Sequence, residues 1–73
     1  MIMSNAWETT TDDVLNVVHD MGFKIGEGEA ENVLDLLDEF SIEDAALNGD
    51  SIEEQTKYAY EEIKKQITDG DLI

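Results

Sequence analysis

Apolar residues in this chain recur every three or four positions and never run longer than three together, which gives a helix one buried face and leaves no strand-like alternation. There is no proline to interrupt such helices. The fold this predicts is all-α, a compact three- or four-helix bundle over residues 10–70, with a loosely ordered segment at 1–9 and a tail at 71–73. A chain of 73 residues buries only roughly 60% of the surface it exposes when unfolded, so its core is shallow. With no cysteine, no disulfide reinforces that core, and stability has to come from helix packing.

Local signals place the helices. Thr10 or Thr11 caps a first helix with Val14, Leu15, Val17, Val18 and Met21 on its apolar face, and Asp12 and Asp13 in the first turn suit the helix dipole. Gly22 stops it, Phe23 is placed for the contact that accompanies a left-handed stop, and Trp7 is placed to fold back over the first turn. After the connection Lys24–Gly28, a second helix is expected from about Glu29 to Phe40, with Ala30, Val33, Leu34, Leu37 and Phe40 on one face and Leu36 widening it. Ser41 closes that helix and, as Ser41-Ile42-Glu43-Asp44, opens a short third one that stops at Asn48-Gly49. Asp50 or Ser51 caps the last helix, whose stripe is Ile52, Thr56, Ala59, Tyr60, Ile63 and Ile67 and which Asp69-Gly70 ends.

Charge narrows the partners. Nineteen acids against four lysines leave a net charge of −15, well beyond the magnitude of about 2 to 8 that keeps a small domain soluble. Such a field repels nucleic acid and anionic membranes and attracts basic protein surfaces. The charge is also polarised: residues 1–56 carry 15 acids and one lysine, while Lys57, Lys64 and Lys65 sit on the last helix. Within the expected second helix Glu27, Glu31, Asp35 and Glu39 fall four apart with Asp38 beside them, one carboxylate row without a basic residue. Like charges at that interval destabilise a helix by roughly 0.2 to 0.5 kcal/mol per pair. At 1.5 Å rise they repeat about every 6 Å, close to the phosphate spacing of a nucleic-acid strand. Asp12, Asp13, Glu43 and Asp44 extend the acidic field to either side. A solvated surface that serves solubility alone is the competing explanation.

Other chemistry finds little support. His19 is the sole histidine, on the polar side near a helix end, and there is neither a cysteine nor a glycine-rich phosphate loop, so no catalytic residue is assigned. The twelve-residue calcium loop is absent, and no cofactor or metal ligand set is assigned. No apolar stretch approaches the ~20 residues of a membrane span and none resembles a signal peptide, so the expected setting is the cytoplasm.

Three stretches carry resemblances. Gly49-Asp50-Ser51-Ile52 resembles the attachment motif of acyl carrier proteins, which would make Ser51 a phosphopantetheine site, although that family places its serine at the second helix and this chain at the last. Met21-Gly22-Phe23 resembles the loop of ubiquitin-associated domains, but Lys24–Gly28 intervene before the next helix. Trp7-Glu8-Thr9-Thr10 followed by Asp12-Asp13-Val14 resembles the start of short acidic phage and prophage proteins of unknown function, over about the first third of the chain. That resemblance implies a mobile-element setting, in which small acidic proteins block host nucleic-acid-binding enzymes. The leading expectation is therefore a phage-type inhibitor that mimics nucleic-acid charge and occupies a basic, nucleic-acid-binding surface on a host protein. The alternatives are a helical adaptor using an aromatic patch of Trp7, Phe23 and Tyr58, and an acyl-carrier-like protein.

Overall fold

Thr10 begins the first helix with a reciprocal cap: its hydroxyl accepts the Asp13 N–H, and the Asp13 carboxylate accepts the Thr10 N–H. The structure, a computed structural model, describes residues 7–73. Among these it forms four helices and no strand, α1 (Thr11–Asp20), α2 (Glu27–Leu36), α3 (Glu39–Ala46) and α4 (Ile52–Gly70). The all-α bundle expected from the apolar spacing is what the chain forms.

Helix ends follow local chemistry. At the end of α1, Gly22 takes φ 94°, the Gly22 N–H donates to the His19 carbonyl and the Phe23 N–H to the Val18 carbonyl. The same paired bonds close α4, but there Asp71, not Gly70, takes the left-handed conformation at φ 52°. Ser51 caps α4 by accepting the Glu54 N–H.

The expected helix from Glu29 to Phe40 is not continuous. It starts earlier, at Glu27 after the Gly26 cap, and breaks at Leu37 (ψ 148°) and Asp38 (ψ 99°). Asp38, not Ser41, is the cap of α3: its carboxylate accepts the Phe40 N–H at 3.2 Å and the Ser41 hydroxyl at 2.9 Å. Gln66 of α4 bonds both polar groups of the Asp38 backbone at the break. Its Oε1 accepts the Asp38 N–H at 2.7 Å and its Nε2 donates to the Asp38 carbonyl at 3.2 Å. The break also moves Glu39 off the face that Glu31 and Asp35 share, which removes one like-charge pair from the helix.

The core consists of Val14, Val17 and Val18 of α1, Ala30 and Val33 of α2, Ile42 and Ala46 of α3, and Ala59, Ile63 and Ile67 of α4. Every one of these is valine, isoleucine or alanine, so narrow side chains hold the helices together. The alanines of α2, α3 and α4 let backbones approach, and each buried Val or Ile contributes about 1.5–3 kcal/mol. Helix α1 packs on α2 and α4, and α4 packs most extensively on α3, so α1 and α4 form the centre of the bundle. Trp7, Leu15, Leu34, Leu37, Tyr60 and Leu72 pack around the core's edge. Within the 1–9 segment, residues 1–6 lie outside the described residues, whereas Thr9 is buried and donates its N–H to Glu39. Three side chains assigned to apolar faces turn outward instead: Leu36 is 66% exposed, Phe40 85% and Ile52 81%. Phe40 leaves the α2 face because the break re-aims the backbone, and Ile52 lies at the first position of α4.

The turn between α3 and α4 depends on a glycine for space. A Cβ at Gly49 would lie 2.5 Å from the Gln55 nitrogen and 2.7 Å from the Glu54 carbonyl carbon, backbone atoms of the first turn of α4. Gly49→Ala is therefore expected to destabilise the fold by about 1–3 kcal/mol in urea unfolding. Gln66→Ala is expected to lose about 0.5–1.5 kcal/mol, the net worth of exposed hydrogen bonds to the Asp38 backbone. Gln66→Met, which keeps the volume and removes the amide, should lose a similar amount if the hydrogen bonds rather than packing are responsible.

Candidate functional site

The ten-residue helix α2 contains Glu27, Glu29, Glu31 and Asp35 and no basic residue. Its apolar positions Ala30 and Val33 pack against the core, which turns Glu27, Glu31 and Asp35 to solvent along the opposite side, all three exposed. From the first to the last they span eight residues, about 12 Å along the axis. No lysine lies between Lys24 and Lys57 to offset them.

The remaining acids of the expected row do structural work and leave the α2 face. Asp38 spends both carboxylate oxygens on its cap. Glu39 begins α3 and its Oε1 accepts the buried Thr9 N–H at 2.9 Å, which ties the N-terminal segment to the third helix. The row is therefore three carboxylates on one helix, followed by two at a corner. Of the flanking pair on α1, Asp12 is exposed, while Asp13 is half-buried and engaged twice. One Asp13 oxygen closes the Thr10 cap, and the other accepts the Tyr60 hydroxyl at 2.8 Å. Glu43, half-buried, and Asp44, exposed, share a shallow, open depression on α3 with Phe40, Ser41 and Leu47.

Charge reading alone missed that face. Along α3, Ile42 and Ala46 face the core, whereas Phe40 and Leu47, seven residues apart, share the outward side with exposures of 85% and 62%. The available signal was Asp38-Glu39-Phe40-Ser41, an N-cap residue with a hydroxyl three positions on, which starts a helix at Glu39 and places Phe40 in its first turn. Gln66 also carried a signal, as an amide beside the stripe position Ile67.

The aromatic residues do not form one patch. Trp7 stacks edge-on against Tyr60, ring centroids 6.3 Å apart at 83°, and its indole N–H donates to the Thr9 hydroxyl at 2.9 Å. It thus packs on α4 rather than only over the first turn of α1. Phe23 lines a groove with Leu15, Asn16, His19, Lys24 and Ile25. Tyr58 lines a separate depression with Ala45, Asn48 and Lys65, among others. Ser51 is exposed at the start of α4, its hydroxyl used in the cap. His19 is exposed in the last turn of α1. Among the described residues no three His, Cys, Asp or Glu side chains are grouped to hold a metal ion, and no helix is long and apolar enough to cross a membrane.

The described residues form a four-helix acidic bundle whose outward features include the α2 carboxylates and the apolar face of α3. Comparisons with protein-family models, with curated proteins and with solved structures find no match.

Tyr60 reports on the α1–α4 junction. Burial raises its pKa above the ordinary 10.0; the hydrogen bond from Asn16 opposes this, and Asp13, as acceptor and nearby charge, adds to the rise. The folded state therefore favours the neutral phenol. The stability this gives is fully present below 10.0, where the unfolded chain's tyrosine ionises, and is lost as pH climbs from there through the raised folded value. Phenolate absorbance should show one tyrosine ionising late in the folded protein, the late step should vanish in Tyr60→Phe, and that variant's stability should fall less above pH 10.0.

Proposed function

We propose that this chain is an acidic binding protein of phage-type inhibitor character, which occupies a basic, nucleic-acid-binding surface of a host protein and excludes nucleic acid from it. The observation that carries the reading is the α2 face: Glu27, Glu31 and Asp35 exposed at four-residue intervals and unopposed by any lysine on the helix. A face of this kind is unfavourable to an isolated helix, and mutual repulsion weakens it further at low ionic strength. A basic partner converts that repulsion into attraction, steering encounter and fixing orientation. Asp12 and Asp44, both exposed, widen the attractive field. Asp13, Asp38 and Glu39, held by internal hydrogen bonds, hold the frame and are not central contacts in this reading.

Competition is the mechanism: the protein need only bind where nucleic acid binds, with no chemical step. The cytoplasm of the host is where such a target resides. An adaptor that works through Trp7, Phe23 and Tyr58 together is less well supported, because Trp7 packs on Tyr60 and the other two line separate grooves.

The reading is tested by capture from nuclease-treated bacterial lysate, comparing the native chain with Glu27→Lys/Glu31→Lys/Asp35→Lys. The substituted side chains are exposed, so the variant is expected to keep its helical circular dichroism. Native protein should retain nucleic-acid-binding proteins at low salt, release them at high salt, and lose at least about tenfold in affinity for a recovered target on reversal. Equal recovery by both proteins, unaffected by salt, would sink the mimicry and leave the acidity as a matter of solubility.

A further inference from the structure

Helix α3 is apolar on two opposite sides. Ile42 and Ala46 are buried against the bundle, and the far side presents Phe40 and Leu47, two large side chains 85% and 62% exposed. At 100° per residue those two lie within about 20° of one another, with Glu43 and Asp44 on either side of the line that joins them. Phe40, Ser41, Glu43, Asp44 and Leu47, all on α3 or at its C-cap, line one shallow, open depression. Aligned on one side of the helix, Phe40 and Leu47 form a short apolar strip between carboxylates. Their placement also does not result from a loose backbone, because Asp38 caps this helix and Gln66 holds the cap.

We propose that this face of α3 is a docking surface for a cationic amphipathic helix of a partner protein, whose apolar side packs on Phe40 and Leu47 while its lysines or arginines meet Glu43 and Asp44. Charge complementarity selects the occupant. The strip's flanks are carboxylates, no basic residue occurs in α3, and the chain as a whole carries −15. A second copy of the chain would bring the same acids to the same place, and an anionic lipid surface would be repelled. A basic helix with one apolar stripe satisfies both the apolar line and its acidic margins, as when an amphipathic helix lays its apolar face on a partner. This rests on the reading of the chain as a binder of basic protein surfaces and adds to it an anchor that charge alone does not supply.

The test uses two synthetic peptides of identical leucine and lysine composition, one with leucines at helical intervals and one scrambled so that no apolar stripe forms. Binding to the full chain is followed by amide chemical shifts, at low and at high salt, for the native protein, for Phe40→Ser/Leu47→Ser and for Glu27→Lys/Glu31→Lys/Asp35→Lys. The expected result is at least tenfold tighter binding of the striped peptide by the native chain, with shifts centred on residues 40–48, and loss of that preference in Phe40→Ser/Leu47→Ser. A preference that survives the serine substitutions would overturn the docking surface. So would equal binding of both peptides with shifts confined to α2, which would leave the carboxylate reading standing. Binding of neither peptide at either salt would count against both readings. Sedimentation that shows a native dimer abolished by the serine substitutions would identify the occupant as a second copy and overturn the assignment.

Discussion

A single side-chain amide holds the corner on which the rest of the bundle depends. Gln66 faces the Asp38 backbone as one strand faces another, accepting from its N–H and donating to its carbonyl, and so ties to α4 the point where the chain stops being a helix at Leu37 and resumes at Glu39. Once that corner is fixed, much else follows. Ile42 and Ala46 turn inward onto α4, Glu39 comes within reach of the Thr9 N–H, and Phe40 turns to solvent. Gln66 is itself steadied by Glu62, whose carboxylate accepts from the same Nε2 at 2.9 Å. The corner is therefore a small polar network in a fold otherwise joined by valine, isoleucine and alanine.

The contrast between legible and illegible features is physical. The helix ends at Thr10, Gly22 and Ser51 could be read to within a residue because the groups that satisfy them lie within five residues. The break at Leu37–Asp38 could not be read from periodicity, since Val33, Leu34, Leu37 and Phe40 continue the helical interval straight across it. What decides the matter is a partner 28 residues away. The carboxylate site divides the same way. Exposure of Glu27, Glu31 and Asp35 followed from the spacing of Ala30 and Val33. The engagement of Asp13 with Tyr60, 47 residues on, and of Glu39 with Thr9, 30 residues back, follows only from tertiary packing.

Charge and packing are kept apart in this molecule. The acids that stabilise the fold do so as hydrogen-bond acceptors at caps and corners, where each accepts from a backbone N–H, a hydroxyl or both. The exposed acids on α2 accept no such bonds; Glu27 and Glu29 suit the dipole of the first turn, while the four-residue pairs Glu27–Glu31 and Glu31–Asp35 repel. Helix α4 differs in mixing the signs, with Lys57, Lys64 and Lys65 beside Glu53, Glu54, Glu61 and Glu62.

The order of packing has a consequence for motion. Helix α2 buries only Ala30 and Val33 and rests chiefly on α1, whereas α1 and α4 each bury three residues in the centre of the bundle. Packing is thinner between α1 and α4 than within either the α1–α2 or the α3–α4 pair, so a partial opening is expected to part the two pairs before either comes undone. The carboxylates of α2 and the outward face of α3 belong to different pairs, so a partner that grips both also holds that seam shut.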